Sequence, residues 1–427
     1  MYALFGDVIW PAKILGIVCL ACSGLIVAAC ARRLLPNSAW LPLLAGLIAA
    51  TSPPLVWGCL SGLEVPLYLF VVCVGLYCYL SQRWIWAAVC WSVGIWLRPD
   101  GVFLAALAVS CPGASRDTRI RAAFVIVACF CAYVAFNLAV GGSFFPTSVG
   151  VKASFGGNFA ARAWNSVAQW LWLWGLSIHA GRYGPHMVLT LSLMAVGAVL
   201  LMRKSPALAI YPMAFPIVFG LFGPGGGQHG RYFIAVVPFG VLLAIVGLSS
   251  AMARLPERQL RTWISGAIVA AVLLWQGVAC RLVGIAYGWN VQNINGMHRF
   301  LAEEVVRRLP QGAPVAVNDV GAIGYFGQHD VLDLAGLMSP VRSLPENLAM
   351  YHPPYMIIFP EWFQQYMSVD PETRQGVFHD ADSTGMYSAI LGVRLRNNTI
   401  ASRNTMVVFK RYPVGSPAVA SPELVVH

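Results

Sequence analysis

Short polar islands interrupt an otherwise apolar chain, and each holds residue types able to bind or move charge. Glu64, in Gly62-Leu63-Glu64, opens an apolar run. It is either an acid stabilised by a helix dipole or a carboxylate facing a substrate cavity. Arg98-Pro99-Asp100-Gly101 sets a planar guanidinium two residues from a carboxylate. Either the two pair with each other, or Arg98 holds an anionic group, which its fork geometry suits. Lys152 follows Ser143-Phe144-Phe145-Pro146-Thr147-Ser148. It is a solvated anchor or, with the neighbouring hydroxyls, a phosphate holder. Gly223-Pro224-Gly225-Gly226-Gly227-Gln228-His229-Gly230-Arg231 is a glycine-rich turn running into His and Arg. It lets backbone approach a ligand closely, or it is a flexible loop with a snorkelling Arg231. It lacks the Lys-Ser/Thr ending of a nucleotide-binding P-loop. Asp319 and Asp333, in Asn318–Tyr325 and Val331–Leu337, follow short apolar runs. They are turn caps or groups pointing toward an acceptor. No His/Cys/Asp cluster has metal-ligand spacing, and no Ser-His-Asp arrangement can be argued.

The elements that position these groups are membrane spans. Of 427 residues, 58% are hydrophobic and 11% charged, with a mean hydropathy of +0.68. Soluble domains carry roughly 25% charged residues. The net charge of +11 would suit nucleic acid, but the basic residues lie singly or in small groups between apolar runs. That is the pattern of a polytopic membrane protein, so no nucleic-acid partner is expected. All eleven cysteines fall in or beside apolar runs, which supports neither a disulfide framework nor a metal knuckle. Candidate spans are 12–31, 38–57, 65–82, 84–97, 102–114, 122–140, 186–202, 208–223, 231–249 and 264–284. With the N-terminus outside, the inner gaps hold Arg32, Arg33, Arg83, Arg116, Arg119, Arg121, Arg203, Lys204, Arg254, Arg258 and Arg261. The polar islands and the C-terminal tail then share the opposite face. Two charges with Pro and Gly break the stretch 84–111 at Arg98–Gly101. Trp164, Trp170, Trp172 and Trp174 suggest an interfacial helix near 164–179 on the outer face.

The fold class expected is therefore a polytopic α-helical membrane protein, residues 1–288, with a C-terminal extracytoplasmic α/β domain, residues 289–427. In that tail Met297–Leu309 has helical periodicity and ends at Pro310. Val315–Val317, Val331–Leu334, Tyr355–Phe359 and Thr405–Phe409 read as strands. The end beyond Tyr412 is expected to be disordered.

Taken in order, Trp57-Gly58 with Leu63-Glu64, Arg98–Gly101, Pro146…Lys152, His229-Gly230-Arg231-Tyr232 and Asn318–Leu337 resemble the bacterial GT-C glycosyltransferases. The likeness is to their arabinofuranosyltransferase- and mannosyltransferase-like branch with a periplasmic tail, and it covers most of the chain. The resemblance implies a multi-pass protein of the bacterial cytoplasmic membrane that moves a sugar from a polyprenyl-phosphate donor to a cell-envelope acceptor. It makes Lys152, Arg231, Arg98 and His229 candidates for the donor phosphate. Glu64, Asp100 and Asp319 are the catalytic candidates, and Asp319 and Asp333 are acceptor or turn residues. No cofactor is expected, and a divalent cation is left open. In that family an acidic first outer loop supplies the base, but here only Asp7 precedes the first run. The usual Pro-Asn-Thr reads Pro146-Thr147-Ser148. The chain is thus expected to lack that span and loop, as an inactive or truncated form. The competing expectations are a transporter or flippase-like carrier, and an inactive glycan-binding membrane protein.

Overall fold

The computed structural model describes residues 8–146, 158–175, 185–222, 230–310, 312–337, 342–369, 376–379, 385–413 and 422–427. They form two compact units, divided between Gly284 and Ile285.

The first unit is helical: α1 (Ile9–Leu34), α2 (Trp40–Thr51), α3 (Pro53–Leu60), α4 (Val65–Leu80), α5 (Trp84–Leu97) and α6 (Gly101–Leu107). These are followed by α7 (Arg116–Gly141), α8 (Phe159–Gly175), α9 (Pro185–Leu201), α10 (Pro206–Phe222) and α11 (Val237–Ala253). The long α12 (Arg258–Asn293) runs on into the second unit's sequence. Among the described residues four helical stretches are long and apolar enough to cross a membrane: Ile9–Leu34, Arg116–Gly141, Ile234–Ala253 and Arg258–Glu304. A fifth is the pair α2–α3, bent by 46° where Pro53 and Pro54 follow Ser52. Val65–Leu80, Trp84–Leu97, Met187–Leu201 and Pro206–Leu221 are apolar but shorter.

Small residues bring α1 against α2, with Gly24 facing Ala50 and Gly46 facing Ala28. This is how helices approach closely when lipid supplies no hydrophobic drive. Helices α4 and α5 form a hairpin in which Trp91 Nε1 donates to the Val72 carbonyl at 3.1 Å. The chain then reverses at Arg98–Asp100, so closely that a side chain at Gly101 would meet the Gly94 backbone at 3.0 Å. On the return, Tyr79 donates to the Ser110 carbonyl at 2.7 Å. Ser110 therefore lies at the far end of α4 from Glu64. The break expected at Arg98–Gly101 is present, but the span expected over 102–114 is not. Helix α6 has seven residues and gives way to turns ending at Gly113, whose φ is +78°.

The tryptophan-rich segment is helix α8, and it packs inward. Trp170, Leu173 and Trp174 are buried, while Trp164 is 70% exposed. The Trp174 ring lies on Gly240 of α11, and Ala163 lies beside Gly220 of α10. The tryptophan count alone did not reveal this packing.

The second unit holds α13 (Phe300–Arg308), α14 (Val320–Gly327) and α15 (Leu344–Tyr351) around one mixed sheet. Its strands are β1 (Val315–Val317), β2 (Val331–Asp333), β3 (Tyr355–Ile358), β4 (Met367–Val369), β5 (Gly376–His379), β6 (Gly385–Arg394), β7 (Thr405–Pro413) and β8 (Glu423–Val426). The order is β2-β1-β3-β7-β6-β5-β4, with β8 also on β6. β1 runs parallel to both β2 and β3. Alternation sorts the side chains into two cores. Val315, Val317 and Ile357 face Met297 and Leu301, while Ala316, Met356 and Ile358 face Leu344 and Leu348. β6 is missing from the sequence reading because its residues are buried on both faces, leaving no alternation to detect. The disorder expected beyond Tyr412 does not extend over 423–426. Glu423–Val426 pair in register with Leu391–Arg394, so their backbone groups find partners on the β6 edge.

Candidate active site

Glu64, Arg98, Asp100 and Arg231, far apart in sequence, meet at one end of the helical unit. Glu64 precedes α4, Arg98 caps α5, Asp100 precedes α6, and Arg231 stands in the turn before α11. Gly230 makes that last turn possible, with φ +66° and Leu173 at 3.1 Å from where a side chain would begin.

Arg98 is the hub. It is 4% exposed and gives Nε and Nη2 to the two Asp100 oxygens at 3.0 Å each. Its Nη1 reaches the Arg231 carbonyl at 3.4 Å and Glu64 Oε1 at 3.6 Å. The rings of Tyr68 and Tyr232 lie 5.5 Å and 5.1 Å from its guanidinium carbon. Each nitrogen of Arg98 thus has a partner, with the Asp100 carboxylate taking the Nε–Nη2 edge. The structure pairs Arg98 with Asp100, one of the two readings the sequence left open. Asp100 accepts one hydrogen bond from Arg98 on each of its oxygens.

Two groups at this site stay available. The Glu64 side chain is 45% exposed, and its contact with Arg98 is the long one. Arg231 lies over Tyr232, 5.1 Å from the ring, and donates Nη2 to the Tyr232 hydroxyl at 3.1 Å. Its Nε is buried without a hydrogen-bond partner, and among the described residues no carboxylate pairs with it. Tyr232 also stacks on Phe219, with centroids 5.2 Å apart. An aromatic floor therefore carries both guanidiniums. Tyr232 was legible beside Arg231. Tyr68 and Phe219 were not, since an aromatic residue inside an apolar helix looks like any other core residue.

Lys152 and His229 lie outside the described residues. Asp333 is 3% exposed and accepts from the Ala335 N–H at 2.9 Å, which is a turn role. Asp319 accepts or shares a proton with His298 Nε2 at 3.1 Å. Its neighbour Asn318 takes the Phe359 N–H on its side-chain oxygen at 3.3 Å, tying the ends of β1 and β3 together.

A bent, small-residue-packed helical unit followed by a sheet-bearing C-terminal unit is the GT-C glycosyltransferase fold, and the chain is a multi-pass membrane protein of that architecture. Two solved structures of ArnT from Cupriavidus metallidurans, a GT-C glycosyltransferase, are similar along nearly the whole chain. The apo form aligns with a TM-score of 0.51 at 13% identity, covering 96% of this chain and 85% of that one. The form bound to undecaprenyl phosphate aligns with a TM-score of 0.50 at 13% identity, covering 98% and 87%. At that identity the likeness establishes the fold alone, and it does not single out the arabinofuranosyl or mannosyl branch. Residues 283–408 match a family model described as Domain of unknown function (DUF8728). No curated protein matches the sequence.

Proposed function

We propose that the chain is a membrane glycosyltransferase that takes its sugar from a polyprenyl-phosphate donor and passes it to an acceptor hydroxyl on the extracytoplasmic side. The observation that carries this reading is Arg231, a half-buried guanidinium with no carboxylate partner among the described residues, held beside the exposed Glu64 carboxylate by the Arg98 hub. A half-buried guanidinium with a buried, unpartnered Nε carries a desolvation cost, and an incoming phosphate would offset it. In the reaction the bond between the sugar's anomeric carbon and the phosphate oxygen breaks, and its electron pair stays on the phosphate. Arg231 stabilises the charge that builds there. The acceptor oxygen bonds to the anomeric carbon, and Glu64 takes its proton. Lys152 and His229 are assigned to the same phosphate from their sequence context. The undecaprenyl phosphate bound by an ArnT of the same fold supports this donor class.

The test is release of undecaprenyl phosphate from a panel of undecaprenyl-phosphate pentoses and hexoses by the full chain in proteoliposomes. Arg231→Ala should slow release by about 10²–10³-fold, the usual cost of losing a charge-stabilising donor, and Glu64→Gln should slow it too. Arg231→Lys should keep part of the rate. No turnover with any donor, or full activity of Arg231→Ala, overturns the proposal.

A further inference from the structure

The second unit carries a groove that no step of the transfer uses. It encloses about 670 Å³ between the last turns of α12 and the loop after β6, a volume in the range of small-ligand sites. Its walls carry Trp289, Gln292, Asn295, Arg396 and Asn397. Three features show a built site rather than a chance hollow.

The first is rigidity. Two buried asparagines of α12 hold the facing loop. Thr399 Oγ1 reaches Asn290 Oδ1 at 2.8 Å and Asn293 Oδ1 at 3.0 Å. The Thr399 N–H donates to Asn293 Oδ1 at 2.7 Å, and Asn293 Nδ2 donates to the Asn397 carbonyl at 3.0 Å. The wall bearing Arg396 and Asn397 is therefore set before any ligand arrives. The second feature is backbone geometry. Directly after α12 the chain winds as a π-helix over Ile294–Arg299, and Asn295 and Gly296 line the groove. Such turns carry poorer backbone bonding and recur at functional sites. The third is chemistry. Gln292, Asn295 and Asn397 each offer a donor and an acceptor side by side, Arg396 adds a fork of donors, and Trp289 an exposed apolar ring. Among the described residues no Asp or Glu lines the groove.

Paired donors and acceptors around an aromatic face match vicinal hydroxyls on a C–H-bearing ring. His427 lines the groove as well, so one guanidinium and one imidazole stand among amide side chains, which is less positive charge than a phosphate site gathers. Among the described residues no group of three or more His, Cys, Asp or Glu side chains could hold a metal. We infer that this groove binds a neutral saccharide. The inference rests on the groove's own chemistry and holds whether or not the helical unit transfers sugar.

The experiment uses the full chain in a zwitterionic detergent without a sugar headgroup, because glycoside detergents would compete. Binding to an array of neutral and anionic pentose and hexose oligosaccharides is read first, and the best neutral binder is then titrated calorimetrically. Saturable binding of a neutral oligosaccharide is expected, weakened at least about tenfold by Asn295→Ala with Arg396→Ala, two exposed positions. Trp289→Ala should weaken it as well, with Trp164→Ala as a control for loss of an exposed indole. Binding of no saccharide, binding of anionic ones alone, or neutral binding untouched by these variants overturns the inference. Arg231→Ala, which tests the transfer reading, should leave this binding unchanged.

Discussion

Replacing Asp100 with alanine strands the Arg98 guanidinium in a site where it is 4% exposed. Two hydrogen bonds of 3.0 Å disappear, and the remaining carboxylate, Glu64, stands 3.6 Å away. Removing one partner of a buried ion pair costs about 3–5 kcal/mol, because the surviving charge is left without compensation. Glu64 can close in, and the Tyr68 and Tyr232 rings each hold the cation by about 0.5–2 kcal/mol. Both effects pull the cost toward the lower limit, so the expected loss is about 3 kcal/mol. The double variant Arg98→Met with Asp100→Leu removes both charges, and it should recover most of that loss, since apolar residues of similar volume replace buried pairs at little cost. The assay is unfolding in mixed micelles at rising SDS fraction, followed by near-ultraviolet circular dichroism. A loss under about 1 kcal/mol in the single variant, as for an exposed pair, would refute the buried-hub argument. So would a double variant no more stable than the single one.

Gly230→Ala should cost about 1–2 kcal/mol from its left-handed backbone alone, with more from Leu173. The same micelle assay reads the loss, and transfer should fall with it as Arg231 is displaced. Thr399→Val removes the hydroxyl shared by Asn290 and Asn293. It should destabilise the second unit by about 0.5–1.5 kcal/mol, the net worth of one hydrogen bond, since Asn293 Oδ1 keeps the Thr399 N–H, read as faster proteolysis after the loop near residue 397. The backbone and hydroxyl of Ser343 hold the Glu346 carboxyl below its usual range. A depressed folded pKa gives stability that is present above the ordinary carboxylate value and lost as pH falls through the lowered one. Acid should therefore weaken α15 in the native chain, and Glu346→Gln should flatten that part of the pH profile, measured by hydrogen exchange at the start of α15.

Charges and prolines inside apolar sequence were legible because each is costly at membrane depth and must be answered locally. Arg98-Pro99-Asp100 marked its own turn, and the ends of α5 fall at Trp84 and Leu97, where the sequence places them. The length of α6 was hidden. Residues 102–109 are apolar throughout, yet the helix ends at Leu107 and turns follow at 108–109 and 112–113. The inward packing of α8 was hidden because tryptophan suits both a headgroup layer and a tight contact with a glycine such as Gly240. In the second unit β1, β2, β3 and β7 were readable from β-branched runs. β6, with Gly, Ser and Ala among its residues, needed its neighbours on both edges to become a strand. The candidate site divided in the same way. Residue types named the charged groups, but only packing decided which were spent on each other. Arg98 and Asp100 neutralise one another, while Arg231 and Glu64 keep free edges.

Helices α4 and α5, which present the charged cluster, have 16 and 14 residues. At about 1.5 Å per residue they are about 24 and 21 Å long, against a hydrocarbon layer of about 30 Å. Where a bilayer meets them, local thinning is one way to relieve the mismatch, and such a dimple would bring headgroups and water down toward Arg98. A lipid-borne phosphate would meet Arg231 by sliding sideways into that dimple, with its isoprenoid still among the acyl chains. Thicker bilayers would resist the dimple at fractions of a kcal/mol per Å, which makes acyl-chain length a control on how readily the site fills.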